Sequence, residues 1–158
     1  MASSFRRLAR FAAILVALAA LTVQVARADD IAATDAGGRK LAIKGYDVVA
    51  YFVDGRPEPG DPRYEHLWRG VWWRFATAGH RDLFAASPQS YAPEFGGFCA
   101  AAMALGVAVA ADPEVWTIVD GKLYLNIDKA TREEWRRNLV SNIDQASGRW
   151  SEHKYVGP

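Results

Sequence analysis

A single cysteine, Cys99, stands among 158 residues. No internal disulfide can form, so packing must hold the fold together. Histidine is scarce too: His66, His80 and His153 are the whole set. No two of these four residues fall at the close spacing, roughly two to five residues, that pre-organises a structural zinc site. The chain has no basic cluster, which excludes the usual electrostatic footprint of a protein that binds nucleic acid or an anionic membrane surface. After residue 28 there is no long apolar run, so no stable membrane insertion is expected of the processed chain. Internal repeats and low-complexity segments are also missing.

What is present begins with a targeting segment. MASSFRRLAR carries Arg6, Arg7 and Arg10 and no acid, FAAILVALAALTV (11–23) is a continuous apolar run, and Ala26-Arg27-Ala28 supplies small residues before a cut. This layout predicts a cleaved signal peptide over 1–28, a mature start at Asp29, and a periplasmic or secreted protein. Removal takes the basic count from 19 to 15 against 18 acids, a net charge near −3. The remaining 130 residues suffice for one domain with a genuine core, and all six tryptophans lie in them.

Residues 29–44 read as a polar, glycine-containing lead-in ending in a short strand-like piece, 45–150 as the domain and 151–158 as a polar tail. In GYDVVAYF (45–52), Asp47 is placed to cap a short helical turn that Asp54-Gly55 closes. In RYEHLWRGVWWRFA (63–76), a two-residue turn at Arg69-Gly70 pairs Trp68 with Val71, Leu67 with Trp72, His66 with Trp73, Glu65 with Arg74 and Tyr64 with Phe75. That register puts Tyr64, His66, Trp68, Val71, Trp73 and Phe75 on one face. A helix is expected from about His80 to Ala86, broken at Pro88 and Pro93, and a short apolar helix in FCAAAMALG (98–106). Asp120-Gly121 turns a second hairpin, pairing Ile118 with Leu123 and Trp116 with Leu125. Thr131-x-x-Glu134 has capping-box spacing for a final helix, along which Trp135, Leu139 and Ile143 form an apolar stripe. The sum is an α+β fold: a small single domain with two β-hairpins packed against short helices and a C-terminal amphipathic helix.

Three blocks, KGYDVVAYFVDGRP, WRGVWWRFATAGHRDLFAASPQSYAPEFGGFCA and DPEVWTIVDGKLYLN, together resemble the YHS-domain family, in particular its small exported members. They run in order from about Lys44 to Asn126; Val48 departs from the proline that many relatives carry. The resemblance implies a compact exported domain. In the metal-associated members a Phe-Cys-x-x-x-Cys segment follows the hairpin. Laid on this chain, the two cysteine positions are Ala76 and His80, so the thiolate pair of those relatives is not reproduced.

The candidate site residues are Tyr46, Asp47, Tyr51, His80, Gly97 and Cys99. The leading expectation is a non-enzymatic module that binds or senses a small ligand where Tyr46-Asp47, His80 and the Gly96-Gly97–Cys99 turn converge. Tyr46, Asp47 and Tyr51 are polar-tipped and suit a pocket lining; their structural alternative is edge packing and capping. A second expectation is metal handling, with His80 and Cys99, joined by Asp82 or Asp47, holding a transition metal such as copper, zinc or iron. A third is a thiol enzyme with Cys99 as nucleophile and His80 as base. His66, on the tryptophan face, is expected to pack its ring and donate one hydrogen bond. Partners are thus a small molecule or a metal ion, and formation of a homo-oligomer is left open.

Overall fold

Two tight turns organise the strands. Arg69 and Gly70 take φ of 51° and 76°, and Asp120 and Gly121 take 50° and 73°, the paired left-handed conformation that matches the twist of a hairpin. The computed structural model describes residues 31–155; the expected signal peptide and its cut after Ala28 lie outside the described residues.

The strands are β1 (Ala33–Asp35), β2 (Lys40–Ala42), β3 (Asp61–Trp68), β4 (Val71–Phe75), β5 (Asp112–Val119) and β6 (Lys122–Asn126). The helices are α1 (Ala50–Val53), α2 (Ala78–Ala86), α3 (Pro88–Tyr91), α4 (Ala100–Ala104), α5 (Lys129–Arg137) and α6 (Leu139–Tyr155), with 3-10 turns at Ile43–Gly45 and Glu94–Gly97. One sheet has the order β1-β2-β4-β3 and the other is the β5-β6 hairpin. The fold is the expected α+β domain.

Both hairpin registers follow the sequence pattern near their turns. Trp68 opposes Val71, Leu67 Trp72, His66 Trp73 and Glu65 Arg74; Ile118 opposes Leu123 and Trp116 opposes Leu125. The expected Tyr64–Phe75 pair does not form. The register shifts between Asp61 and Glu65, and Asp61 stands opposite Phe75. Close approach accompanies the shift: a Cβ on Gly60 would lie 2.5 Å from Arg74 Cβ and 2.8 Å from the Phe75 nitrogen.

The lead-in supplies two strands of the sheet: the strand-like piece expected at its end is β2, and β1 precedes it. β1 pairs with β2, and β2 meets β4 in parallel at Leu41–Trp72. Ile31, Leu41, Ala42 and Ile43 are buried, so this segment contributes apolar area that its polar composition conceals.

Trp73, Phe75, Phe84, Tyr51, Cys99, Leu123 and Leu125 belong to one core cluster, and Trp68 and Tyr64 pack against it. Phe84 from α2 is its hub, with ring centroids 5.0–5.9 Å from His66, Trp68, Trp73 and Phe75. His66 therefore packs as expected. A second cluster of Phe95, Met103, Tyr124, Trp135 and Ala146 takes in Leu139 and Ile143 at its border. The apolar stripe is thus real, but it spans two helices: Asn138 leaves helical geometry at φ −127°, ψ 50°. The capping box is also displaced. Asp128 is the N-cap, its carboxylate accepting from Thr131 N at 2.7 Å, because an aspartate three residues upstream offers the same acceptor one turn earlier. At the other end α6 continues to Tyr155, into the segment expected as a tail.

Candidate functional site

Asp47 is wholly buried, and both its carboxylate oxygens are occupied. Oδ1 accepts from Val49 N at 2.9 Å and Ala50 N at 3.3 Å. The side chain therefore opens α1, as the Asp-x-Val-Ala spacing predicts. Oδ2 accepts from Ala76 N at 2.8 Å and from His80 Nδ1 at 2.7 Å. The two positions at which the resemblance places metal-binding cysteines, 76 and 80, thus both donate to one carboxylate, the first through its backbone.

His80 is fixed from two sides. Thr77 caps α2, its Oγ1 accepting from His80 N at 3.1 Å, and Asp47 holds the ring. On the far edge, His80 Nε2 lies 3.9 Å from Asp54 Oδ2. Asp54 ends α1, its own N donating to Ala50 O at 2.8 Å. The result is an acid–imidazole–acid row, Asp47–His80–Asp54, running from the core outward, with side chains 0%, 13% and 36% exposed.

The other candidates lead elsewhere. Tyr46 donates to Glu114 Oε1 at 2.8 Å and buried Tyr51 donates to Pro113 O at 2.9 Å. The two tyrosines tie the 45–52 segment to the start of β5. The bond to Glu114, with burial and the nearby acids adding to it, raises the Tyr46 hydroxyl pKa. Burial, aided by the Glu114 charge, raises that of Tyr51. Gly97 takes φ +84° and packs beneath Ile43 and Pro93.

Cys99 is not in the first turn of α4 but at its N-cap, without a side-chain cap bond. It is 1% exposed. Its Sγ donates to Asn126 Oδ1 at 3.8 Å, and its N donates to Val109 O at 2.8 Å. Asn126 Oδ1 also accepts from Ala101 N at 3.4 Å. No hydrogen bond joins Cys99 to His80, so the pairing on which the thiol-enzyme and His80–Cys99 metal readings depend is not formed. Free buried cysteines commonly serve as small apolar packing residues. Asp82, the other suggested ligand, pairs with Arg81 at 2.8 Å. Among the described residues, no three His, Cys, Asp or Glu side chains gather closely enough to hold a metal ion.

Of the expected convergence, Asp47 and His80 do meet, whereas Tyr46 and the Gly96-Gly97–Cys99 turn make separate contacts. An open cleft of about 170 Å³ lies beside the first hairpin, with Trp68, Trp73, Trp150, Arg69, Gln89 and Glu94 among its lining. Arg69 stacks on Trp68, its guanidinium carbon 4.4 Å from the ring centroid. Trp73 Nε1 donates to Trp68 O at 3.3 Å, linking the two tryptophans of one wall. Sequence reasoning places Trp68 and Trp73 on one face of the hairpin and marks no cleft there. It passed over Asp54 as a turn former, and nothing local marks Trp150, Glu114 or Asn126. Thr77-x-x-His80 was readable as a helix cap.

No family model, curated protein or solved structure matches this chain.

Proposed function

We propose that this chain is an exported, non-enzymatic binding or sensing domain of the YHS type, which seats a small polar molecule in the cleft between Trp68, Arg69 and Trp150. The cleft carries the reading. It sets the indoles of Trp68, Trp73 and Trp150 beside three polar side chains, Arg69, Gln89 and Glu94. At about 170 Å³ it is smaller than a drug-sized site, which fits a small molecule. The absence of catalysis rests on the engagement of the reactive candidates: Asp47 is saturated by four donors, and Cys99 is sealed against Asn126. The export and family parts rest on the 1–28 layout and on the ordered blocks from Lys44 to Asn126.

The test is a titration of the purified protein with a hexose, nicotinamide and benzamidine, as neutral, aromatic and cationic single-ring probes. The readout is the six indole Nε1–H resonances. At least one probe should move the signals of Trp68, Trp73 and Trp150 while Trp72, Trp116 and Trp135 stay put, and Arg69→Ala or Glu94→Ala should weaken that response. Silence from all three probes, or uniform movement of all six indoles, removes the cleft as the seat.

A further inference from the structure

We propose that the occupant of the Trp68–Arg69–Trp150 cleft is a small zwitterion, its carboxylate paired with the Arg69 guanidinium and its alkylammonium group with the Glu94 carboxylate, among the indoles. The inference rests on the cleft as the ligand seat and adds the chemical class that the seat selects.

Arginine is an unusual residue for position 69. It opens the Arg69-Gly70 turn with φ 51°, a left-handed conformation that Asn, Asp and Gly adopt most readily. The second hairpin places Asp120 at the equivalent point, with φ 50°. An arginine there gives up turn stability, so the use of its side chain lies elsewhere. The guanidinium is held over Trp68, its carbon 4.4 Å from the ring centroid, in the lining of the cleft. Other arginines of this sheet region are engaged by carboxylates: Arg39 and Arg74 by Glu65 at 2.9 and 2.8 Å, and Arg63 by Asp61. Among the described residues, no hydrogen bond or ion pair engages the guanidinium of Arg69. Its planar fork of N–H donors is therefore open to a carboxylate.

Glu94 supplies the opposite charge. Its cation is Lys122, but the two stand 3.8 Å apart with side chains 33% and 58% exposed. That is longer than the about 2.7–2.9 Å of a charge-assisted bond, and an exposed pair of this kind contributes little. Arg69 and Glu94 line one cleft without pairing with each other. A simple anion bound at Arg69 would share the cleft with the Glu94 charge, and a simple cation bound at Glu94 would share it with Arg69. A molecule carrying both charges meets neither repulsion, and specificity of this sort comes as much from the penalty on the wrong ligand as from attraction to the right one. The indoles add π faces that attract alkylammonium groups. A volume of about 170 Å³ limits the occupant to the size of an amino acid or a betaine.

Glycine betaine and L-proline are the zwitterionic probes. Choline and 3,3-dimethylbutyrate, which each keep one charge of glycine betaine in a similar shape, are the controls. In titrations followed by the indole Nε1–H resonances, at least one zwitterion should move Trp68, Trp73 and Trp150. It should bind at least about tenfold tighter than either control, the worth of one added charge-assisted bond. Arg69→Gln should weaken that zwitterion at least about tenfold and spare choline, whereas Glu94→Gln should weaken it and spare 3,3-dimethylbutyrate. A purely structural role would weaken every ligand alike. Arg69→Asn guards against misfolding: it should lose the zwitterion yet raise the unfolding midpoint, since asparagine suits the left-handed turn. Zwitterions that bind no tighter than the controls, or an affinity indifferent to Arg69→Gln, overturn the proposal. Silence from both zwitterions while a hexose, nicotinamide or benzamidine moves the three indoles overturns it and leaves the cleft as the seat. Silence from every probe removes both.

Discussion

The carboxylate of Asp47 and the imidazole of His80 meet at 2.7 Å across 33 residues of sequence, and the same oxygen accepts from the backbone of Ala76. One side chain thereby fastens the start of α1, the end of β4 and the first turn of α2. Asp47→Ala strands the Val49, Ala50 and Ala76 amides. At about 1–3 kcal/mol per stranded buried donor, the domain should lose about 3 kcal/mol or more. Urea unfolding measures this, and a loss below about 1 kcal/mol would show that water replaces the carboxylate without penalty.

Gly97 and Gly121 separate strain from crowding. Both have positive φ, but a Cβ on Gly97 would meet Ile43 Cγ2 at 2.8 Å, whereas nothing lies within 4 Å of one on Gly121. Gly121→Ala should cost about 1–2 kcal/mol, from left-handed backbone alone. Gly97→Ala should cost a further ~1–3 kcal/mol for overpacking. Equal shifts in the unfolding midpoint would contradict this account.

Cys99 should behave as a core residue. In native protein a thiol reagent should label it only as fast as the domain opens, and labelling should become immediate in denaturant. Rapid native labelling would mean that the pocket around Asn126 is open to solvent.

Acid stability should depend on Glu65. Burial pushes its carboxyl pKa up, but hydrogen bonds from Arg74 and Arg39 outweigh burial and leave it below the usual range. With the folded value below the unfolded one of about 4.3, the stabilisation is fully present above that pH and is lost as pH falls through the folded value. Between about pH 5 and pH 3 the wild type should therefore lose more stability than Glu65→Gln, as followed by chemical unfolding at each pH. Parallel pH profiles would show that the Arg39–Glu65–Arg74 cluster contributes nothing to acid stability.

The cap of α5 can be assigned by mutation. Asp128→Ala should cost about 1 kcal/mol, the usual value for a lost N-cap, and Thr131→Ala much less. The reverse order in thermal unfolding would restore the capping box at Thr131-x-x-Glu134.

How far the fold could be read from the sequence follows from the range of each interaction. The registers next to Arg69-Gly70 and Asp120-Gly121 were readable because a two-residue turn fixes which residues oppose and alternation fixes which face they share. The Glu65–Arg74 pair, at 2.8 Å, follows from the same register. Further from the turn the argument weakened: Tyr64 lost its place opposite Phe75 because the chain at Gly60 presses against the backbone of β4. At the candidate site, Asp47 as a helix opener was readable from four consecutive residues.

The sequence by itself determined the two hairpins, the α+β class and the cap that Asp47 provides for α1, since each depends on residues within about one turn or one hairpin of each other. Only the tertiary structure decided that Ala33–Asp35 and Lys40–Ala42 join the sheet, that Asp47 reaches Ala76 and His80, that Cys99 faces Asn126 rather than His80, and that Trp150 lines one cleft with Trp68 and Trp73. Periodicity tells which face of an element is apolar but not which distant element will cover it. A buried carboxylate takes whichever donors the packed chain brings within about 3 Å, and no local spacing names them in advance.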